Sequence, residues 1–337
     1  MKKFLVVLVF LLVLEACKAQ APTDSLPLNT KIPAVVVPTL TPLSTVASPA
    51  ISVLSEDFLK ISSLDPGPYF GFVETSSNKF YLSLASLSGV YQGQLTEIRG
   101  GYGLAISPDK HLLADLPYIV DLDMGIPEFY EELVNCTQPN WSPNSKELAV
   151  SCPSDDYHHE DIHIFSIQDR RKIPVTNCEN EAFSCSVPLW SPDGRWLAFY
   201  RALGGSGTSQ LTGLQILDMT CSSGLANCWR DKSGVDTYPS FSWSPDSQLL
   251  ASVENDNVLV FQIVDGKLSL LESHKVNGVV DWIAWLGNNS ELLVLEYSGK
   301  GGYVVSRETG SISPLTEAQE EFFRSQYHDS MFMLILP

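Results

Sequence analysis

At 337 residues, with 44% hydrophobic and 18% charged residues, the chain carries enough apolar material for a packed core and too little charge for a disordered protein. Its formal net charge of -18 repels nucleic acid and anionic headgroups. The single run of three basic residues, Arg170, Arg171 and Lys172, falls at an expected strand turn, so nucleic acid is excluded as a partner.

Lys2 and Lys3 precede the uncharged apolar stretch FLVVLVFLLVL, Phe4 to Leu14. This is shorter than the about 20 apolar residues a membrane span needs, so residues 1–17 read as an export signal. The closing LEAC, Leu14 to Cys17, resembles the bacterial lipobox, with Glu15 where a small or apolar residue is usual. That resemblance implies a lipidated Cys17 and a membrane anchor on the extracytoplasmic side. Residues 18–54 are rich in Pro, Ser, Thr and Ala without periodicity and read as a flexible tether. Residues 55–337 remain as the folded domain.

Within that domain one phrase recurs. It is ISPDKHLLADL from Ile106, WSPNSKELAVS from Trp141, WSPDGRWLAFY from Trp190 and WSPDSQLLASV from Trp243, with a worn copy, WLGNNSELLVL, from Trp285. Each is an apolar strand end, a tight turn and a second apolar strand. In Ser-Pro-Asp-Gly, Pro fixes φ at the second position, Asp tolerates the third, and Gly permits a left-handed or open fourth. From Ser107 to Ser142, Ser191, Ser244 and Leu286 the steps are 35, 49, 53 and 42 residues. A period of about 40 to 50 residues with four short strands per unit signals a β-propeller. Further strands are expected at 161–169, 213–219 and 257–266, and an unmarked first blade at 68–89. Blades then begin near 101, 138, 187, 239 and 280, about six in all. The recurring Trp141, Trp190, Trp243 and Trp285 should pack between blades, while Trp196, Trp229 and Trp282 lie off register and are expected to pack rather than to be displayed. A short helix capped by Thr316 spans 316–328, and MFMLILP, 331–337, is expected to pair into the last blade and help close the ring.

These units resemble the TolB-like, WD-type β-propeller repeats of exported bacterial proteins, whose turns read Trp-Ser-Pro-Asp-Gly followed by Leu-Ala-Phe. Trp190 to Phe199 fits that pattern throughout. The resemblance covers roughly residues 65–315 and implies an all-β fold, a propeller of about six four-stranded blades. It implies little about chemistry, since propellers host binding, scaffolding and catalysis alike.

Setting Cys17 aside leaves six cysteines in three local pairs, Cys136 with Cys152, Cys178 with Cys185 and Cys221 with Cys228. An even number fits disulfides in an oxidising compartment. Positions 136 and 152 are equidistant from Asn144, so a hairpin turning there sets them face to face.

The one cluster of metal-ligand types is YHHEDIHIF, Tyr157 to Phe165. His158 and His159 are its metal candidates, but consecutive side chains diverge and no H-E-x-x-H helix is available, so a polar, solvated loop is the preferred reading and no cofactor is expected. No G-x-S-x-G elbow, P-loop, dinucleotide fingerprint or EF-hand spacing occurs. Loops 153–161, 177–187 and 202–212 fall on one propeller face. They make His158, His159, Glu160, Asp161, Ser206 and Thr208 the candidate recognition residues, for a protein or cell-envelope component. The expectation is a binding module rather than an enzyme. The competing reading is a hydrolase or lyase with a metal at the channel mouth, and a third is a structural spacer.

Overall fold

A computed structural model describes residues 58–61, 64, 69–99, 103–154, 159–178, 183–203, 211–221, 240–296, 301–327 and 334–336. All lie in the unit Ala50–Pro337. Blade 1 comprises β1 (Tyr69–Ser76), β2 (Lys79–Ser86) and β3 (Tyr91–Ile98). Blade 2 comprises β4 (Leu104–Ile106), β5 (Leu112–Asp115), β6 (Tyr118–Asp121) and β7 (Ile126–Phe129). Blade 3 follows with β8 (Thr137–Trp141), β9 (Glu147–Pro153), β10 (Glu160–Ser166) and β11 (Arg171–Pro174). Blade 4 contributes β12 (Phe183–Trp190), β13 (Trp196–Leu203) and β14 (Leu211–Asp218), three strands among the described residues. Blade 5 holds β15 (Phe241–Trp243), β16 (Leu249–Glu254), β17 (Asn257–Val264) and β18 (Lys267–Lys275), and blade 6 holds β19 (Val280–Trp285), β20 (Glu291–Glu296), β21 (Gly302–Ser306) and β22 (Ile312–Pro314). The helix α1 (Glu317–Tyr327) and β23 (Leu334–Leu336) end the chain. Six antiparallel sheets result, a six-bladed propeller.

Because each blade is sandwiched between two others, its strands are apolar on both faces. In β13, Trp196, Ala198 and Tyr200 face blade 5 with Phe241, Trp243 and Leu250, while Leu197 and Phe199 face Ile162 and Ile164 of blade 3. Every seam holds such an apolar cluster. The strands therefore read as near-continuous apolar runs, and their burial is the main force holding the ring.

The repeated phrase supplies polar links across the seams between blades 2 and 3, 4 and 5, and 5 and 6. Its Ser hydroxyl donates to the turn Asp or Asn (Ser107 to Asp109 at 2.6 Å, Ser191 to Asp193 at 2.6 Å) and accepts the N–H five residues on (Leu112, Trp196). The fourth turn residue is left-handed in the four Ser-Pro copies: Lys110 at φ 67°, Ser145 at 60°, Gly194 at 73° and Ser247 at 62°. Where that residue is serine it reaches across the seam, since Asp109 N–H donates to Ser145 Oγ (3.0 Å) and Asp193 N–H to Ser247 Oγ (2.9 Å). In the worn copy Asn289 takes over, accepting from Asp246 N–H. The indoles add a second rung. Trp141 Nε1 donates to the Ala105 carbonyl (2.8 Å), Trp243 Nε1 to Leu189 (3.1 Å) and Trp285 Nε1 to Ser242 (3.0 Å), each on the preceding blade. The turn aspartates are thus structural, and the recurring tryptophans lie between blades as their register requires. Trp196 is buried and Trp282 packs beside Phe70; Trp229 lies outside the described residues.

Two sequence expectations need correction. The closing strand β23 pairs with β1, Tyr69 opposite Leu336, and so completes the first blade rather than the last. It takes the position beside β4 that the other blades give to their own first strand. The hairpin centred on Asn144 is also offset. Near the turn Trp141 faces Leu148, a register that would set Cys136 opposite Pro153. A bulge with Gln138 at φ 52° shifts the pairing so that Thr137 meets Ser151, and the disulfide Cys136–Cys152 forms with Cα atoms 4.2 Å apart. Gly103 makes room for that bulge, because a Cβ there would sit 2.8 Å from Pro139 Cδ.

The helix starts where Thr316 implied. Its hydroxyl accepts from Gln319 N–H while the Gln319 side chain accepts from Thr316 N–H, a capping box. Phe322 and Phe323 carry α1 against Phe72 and Phe70 of blade 1, closing the seam with blade 6.

Candidate functional site

The loop face where blades 3 and 4 meet gathers most of the described candidate residues. Glu160 and Asp161 open strand β10 instead of lying in a loop, and Phe183 to Val187 belong to β12. The strands run further because Glu160 pairs with Pro153 and Phe183 with Leu203. His158, Ser206 and Thr208 lie outside the described residues, as do Cys17 and Cys228.

Asp161 is a structural anchor. It is buried, and its Oδ1 accepts from Thr176 Oγ1 (2.5 Å) and from the Cys178 N–H (2.6 Å). Thr176 Oγ1 in turn accepts from Ile162 N–H at 2.8 Å. The connection leaving β11 is therefore tied to the start of β10, and the Cys178–Cys185 disulfide, with Cα atoms 5.9 Å apart, ties it onward to β12. Ligand atoms of Asp161, Cys178 and Cys185 lie within 4.8 Å of one another. They suit no ion, because the two sulfurs are joined and the Asp161 oxygen already accepts two hydrogen bonds. Cys221 is also disulfide-bonded.

On this frame sit His159 and Glu160. The His159 backbone is fixed by Ser154, whose N–H donates to the His159 carbonyl (2.8 Å) and whose hydroxyl accepts from the His159 N–H (3.2 Å). The His159 Nδ1 is buried with no partner among the described residues. The Glu160 N–H donates to Ser184 Oγ (3.2 Å), locking it to blade 4. Burial pushes its carboxyl above the ordinary carboxylate range. In blade 4, Arg201, which pairs with Cys185 across β12 and β13, is buried with its guanidinium 3.6 Å over the Phe183 ring. Phe183 and Ser184 lie within the expected loop 177–187 without being singled out, and sequence reasoning missed Arg201 and Thr176. The one available signal was Arg201, a charge inside the buried apolar run WLAFYRAL.

His163, next along β10, is held below its ordinary value of 6.5 first by burial and further by nearby Lys172, whereas exposed His111 is raised above 6.5 by its bond to Asp123. Proton NMR titration should place the His163 ring midpoint below 6.5 and that of His111 above it. Neutral His163 is favoured in the fold, so its contribution to stability is present above 6.5 and is lost as pH falls toward its folded value; that of His111 is present below 6.5 and fades as pH rises through its folded value. Reversed midpoints would contradict the packing of β10.

No known family profile matches the chain, and no curated protein matches it. Among solved structures it is similar to TolB from Acinetobacter baumannii, with TM-score 0.50 and 17% identity over 74% of this chain and 64% of that one. The likeness is one of fold, a β-propeller. It is also similar to the Cps50 (Swd1) β-propeller domain of Myceliophteria thermophila (TM-score 0.49, 13% identity, 75% of this chain and 88% of that one). An oligogalacturonate lyase in complex with manganese is similar as well (TM-score 0.48, 14% identity, 72% and 74%). At such identities the likeness shows architecture alone, and the match spans 64% of the Acinetobacter TolB chain.

Proposed function

We propose that this propeller is a binding module, held to a membrane on the extracytoplasmic side through a lipid on Cys17, that recognises a protein or cell-envelope component on the loop face of blades 3 and 4. The observation that carries the reading is the pair His159 and Glu160: adjacent, half-buried polar side chains without internal hydrogen-bond partners among the described residues, on a backbone fixed by Ser154, Ser184 and the Asp161 anchor. Buried polar groups are normally paired inside the fold, so an unsatisfied pair at a rigid rim is suited to an external donor. A hydrogen-bond donor or cation from the partner fits the Glu160 carboxyl, in keeping with the net charge of -18. The disulfides Cys136–Cys152 and Cys178–Cys185 agree with an oxidising compartment.

Affinity capture from native membranes with the full-length chain tests this. A partner retained by the native protein and reduced about tenfold or more by the double substitution His159→Ala, Glu160→Gln is expected. Equal retention by both proteins would refute the assignment to this rim.

A further inference from the structure

The seam between blades 3 and 4 departs from the clasped pattern at both rungs. Position 194, where neighbouring blades place Ser145 or Ser247, is glycine, so no side chain reaches back to the Asn144 turn. The indole N–H of Trp190, unlike those of Trp141, Trp243 and Trp285, is buried with no acceptor among the described residues. The Trp190 backbone N–H bonds the Asn140 side chain instead, at 2.8 Å. Where the two rungs are missing the seam opens into a cavity of about 320 Å³ walled by Ile164, Ile173, Met219, Pro143 and Trp190, with Glu147 at its edge. The Glu147 backbone is held by Ser142, but its half-buried carboxylate has no hydrogen bond or ion pair among the described residues. The cavity lies at the turn end of β9, opposite the loop face.

We infer that this seam is a second binding site, for an alkylammonium group. Its walls are apolar at Ile164, Ile173 and Met219 and polar at Ser142, Asn144 and Glu147, whose carboxylate is the one charged group among them. An aliphatic stem can pack on Ile164, Ile173 and the adaptable Met219 while its ammonium head meets Glu147. The net charge of -18 concentrates cations near the surface. The same chemistry is carried by a lysine side chain of a protein and by a free aliphatic amine. The inference is independent of the loop-face reading, which concerns other residues at the other end of the strands.

Calorimetric titration of the full-length protein, with up to about 10 mM of each probe, separates the outcomes. The probes are N-acetyl-lysine N-methylamide, pentane-1,5-diamine, and the uncharged N-acetyl-norleucine N-methylamide. Saturable 1:1 binding of an amine is expected, about tenfold tighter than that of the norleucine probe and weakened about tenfold by Glu147→Gln. Gly194→Ser, which puts at 194 the residue found at 145 and 247, should restore the clasp and weaken binding similarly. Circular dichroism confirms that both variants are folded. Tighter binding of the lysine amide assigns the site to a protein lysine, and tighter binding of the diamine to a free amine. No saturable binding, equal binding of the norleucine probe, or indifference of folded Glu147→Gln would overturn the inference.

Discussion

Replacing Trp243 with phenylalanine is expected to destabilise the propeller by about 1–3 kcal/mol more than the same change at Trp190. Both rings are buried between blades and both substitutions remove similar apolar volume. They differ in one bond. Trp243 Nε1 donates to the Leu189 carbonyl across the seam at 3.1 Å, so phenylalanine leaves that carbonyl of blade 4 without its donor, while the Trp190 N–H has no acceptor among the described residues to lose. Truncation to alanine at Trp243 or Trp141 adds a cavity and should cost about 3–5 kcal/mol in all, a large part of the stability of an ordinary domain. Urea unfolding followed by tryptophan fluorescence and circular dichroism measures both. Equal losses for Trp243→Phe and Trp190→Phe would mean that the indole rung contributes nothing and that burial alone explains the repeat.

Substitution of Asp161 by alanine carries the second large effect, about 2–4 kcal/mol. The change strands the Thr176 hydroxyl and the Cys178 N–H, which donate to Asp161 Oδ1 at 2.5 and 2.6 Å, inside the protein. Asp161→Asn keeps one acceptor oxygen and should lose about half as much. Hydrogen exchange should localise the Asp161→Ala change to Thr176 and Cys178 before the rest of blade 3 responds. If Asp161→Ala left stability unchanged but abolished partner capture, Asp161 would be a contact residue and the anchor assignment would be wrong.

The propeller was legible in the sequence because its physics is periodic. A sandwiched strand must be apolar on both faces in every blade, and a Ser-Pro turn with a left-handed fourth residue recurs in blades 2 to 5. The pairing of Cys136 with Cys152 was legible too, although for an incomplete reason: the expected symmetry about Asn144 holds only because the bulge at Gln138 offsets the register. Ring closure was misassigned because MFMLILP carries no mark of which edge it joins, and the edge left open is that of β1, a blade without the repeated phrase. The site was less legible. The YHHEDIHIF run drew notice as titratable types in sequence, but its members diverge in role. Asp161 turns inward to Thr176 and Cys178, His163 packs near Lys172, and His159 and Glu160 stay at the rim. Local pattern cannot separate these fates, since they depend on Ser184 and Thr176, residues distant in the chain that the blade seam brings alongside.

The reading of the loop face as a recognition surface is tested most directly by hydrogen exchange on the full-length protein, free and bound to its captured partner. Protection concentrated at His159 to His163 and Phe183 to Ser186 is the predicted result. A footprint that leaves both segments unchanged while another surface is protected would contradict it.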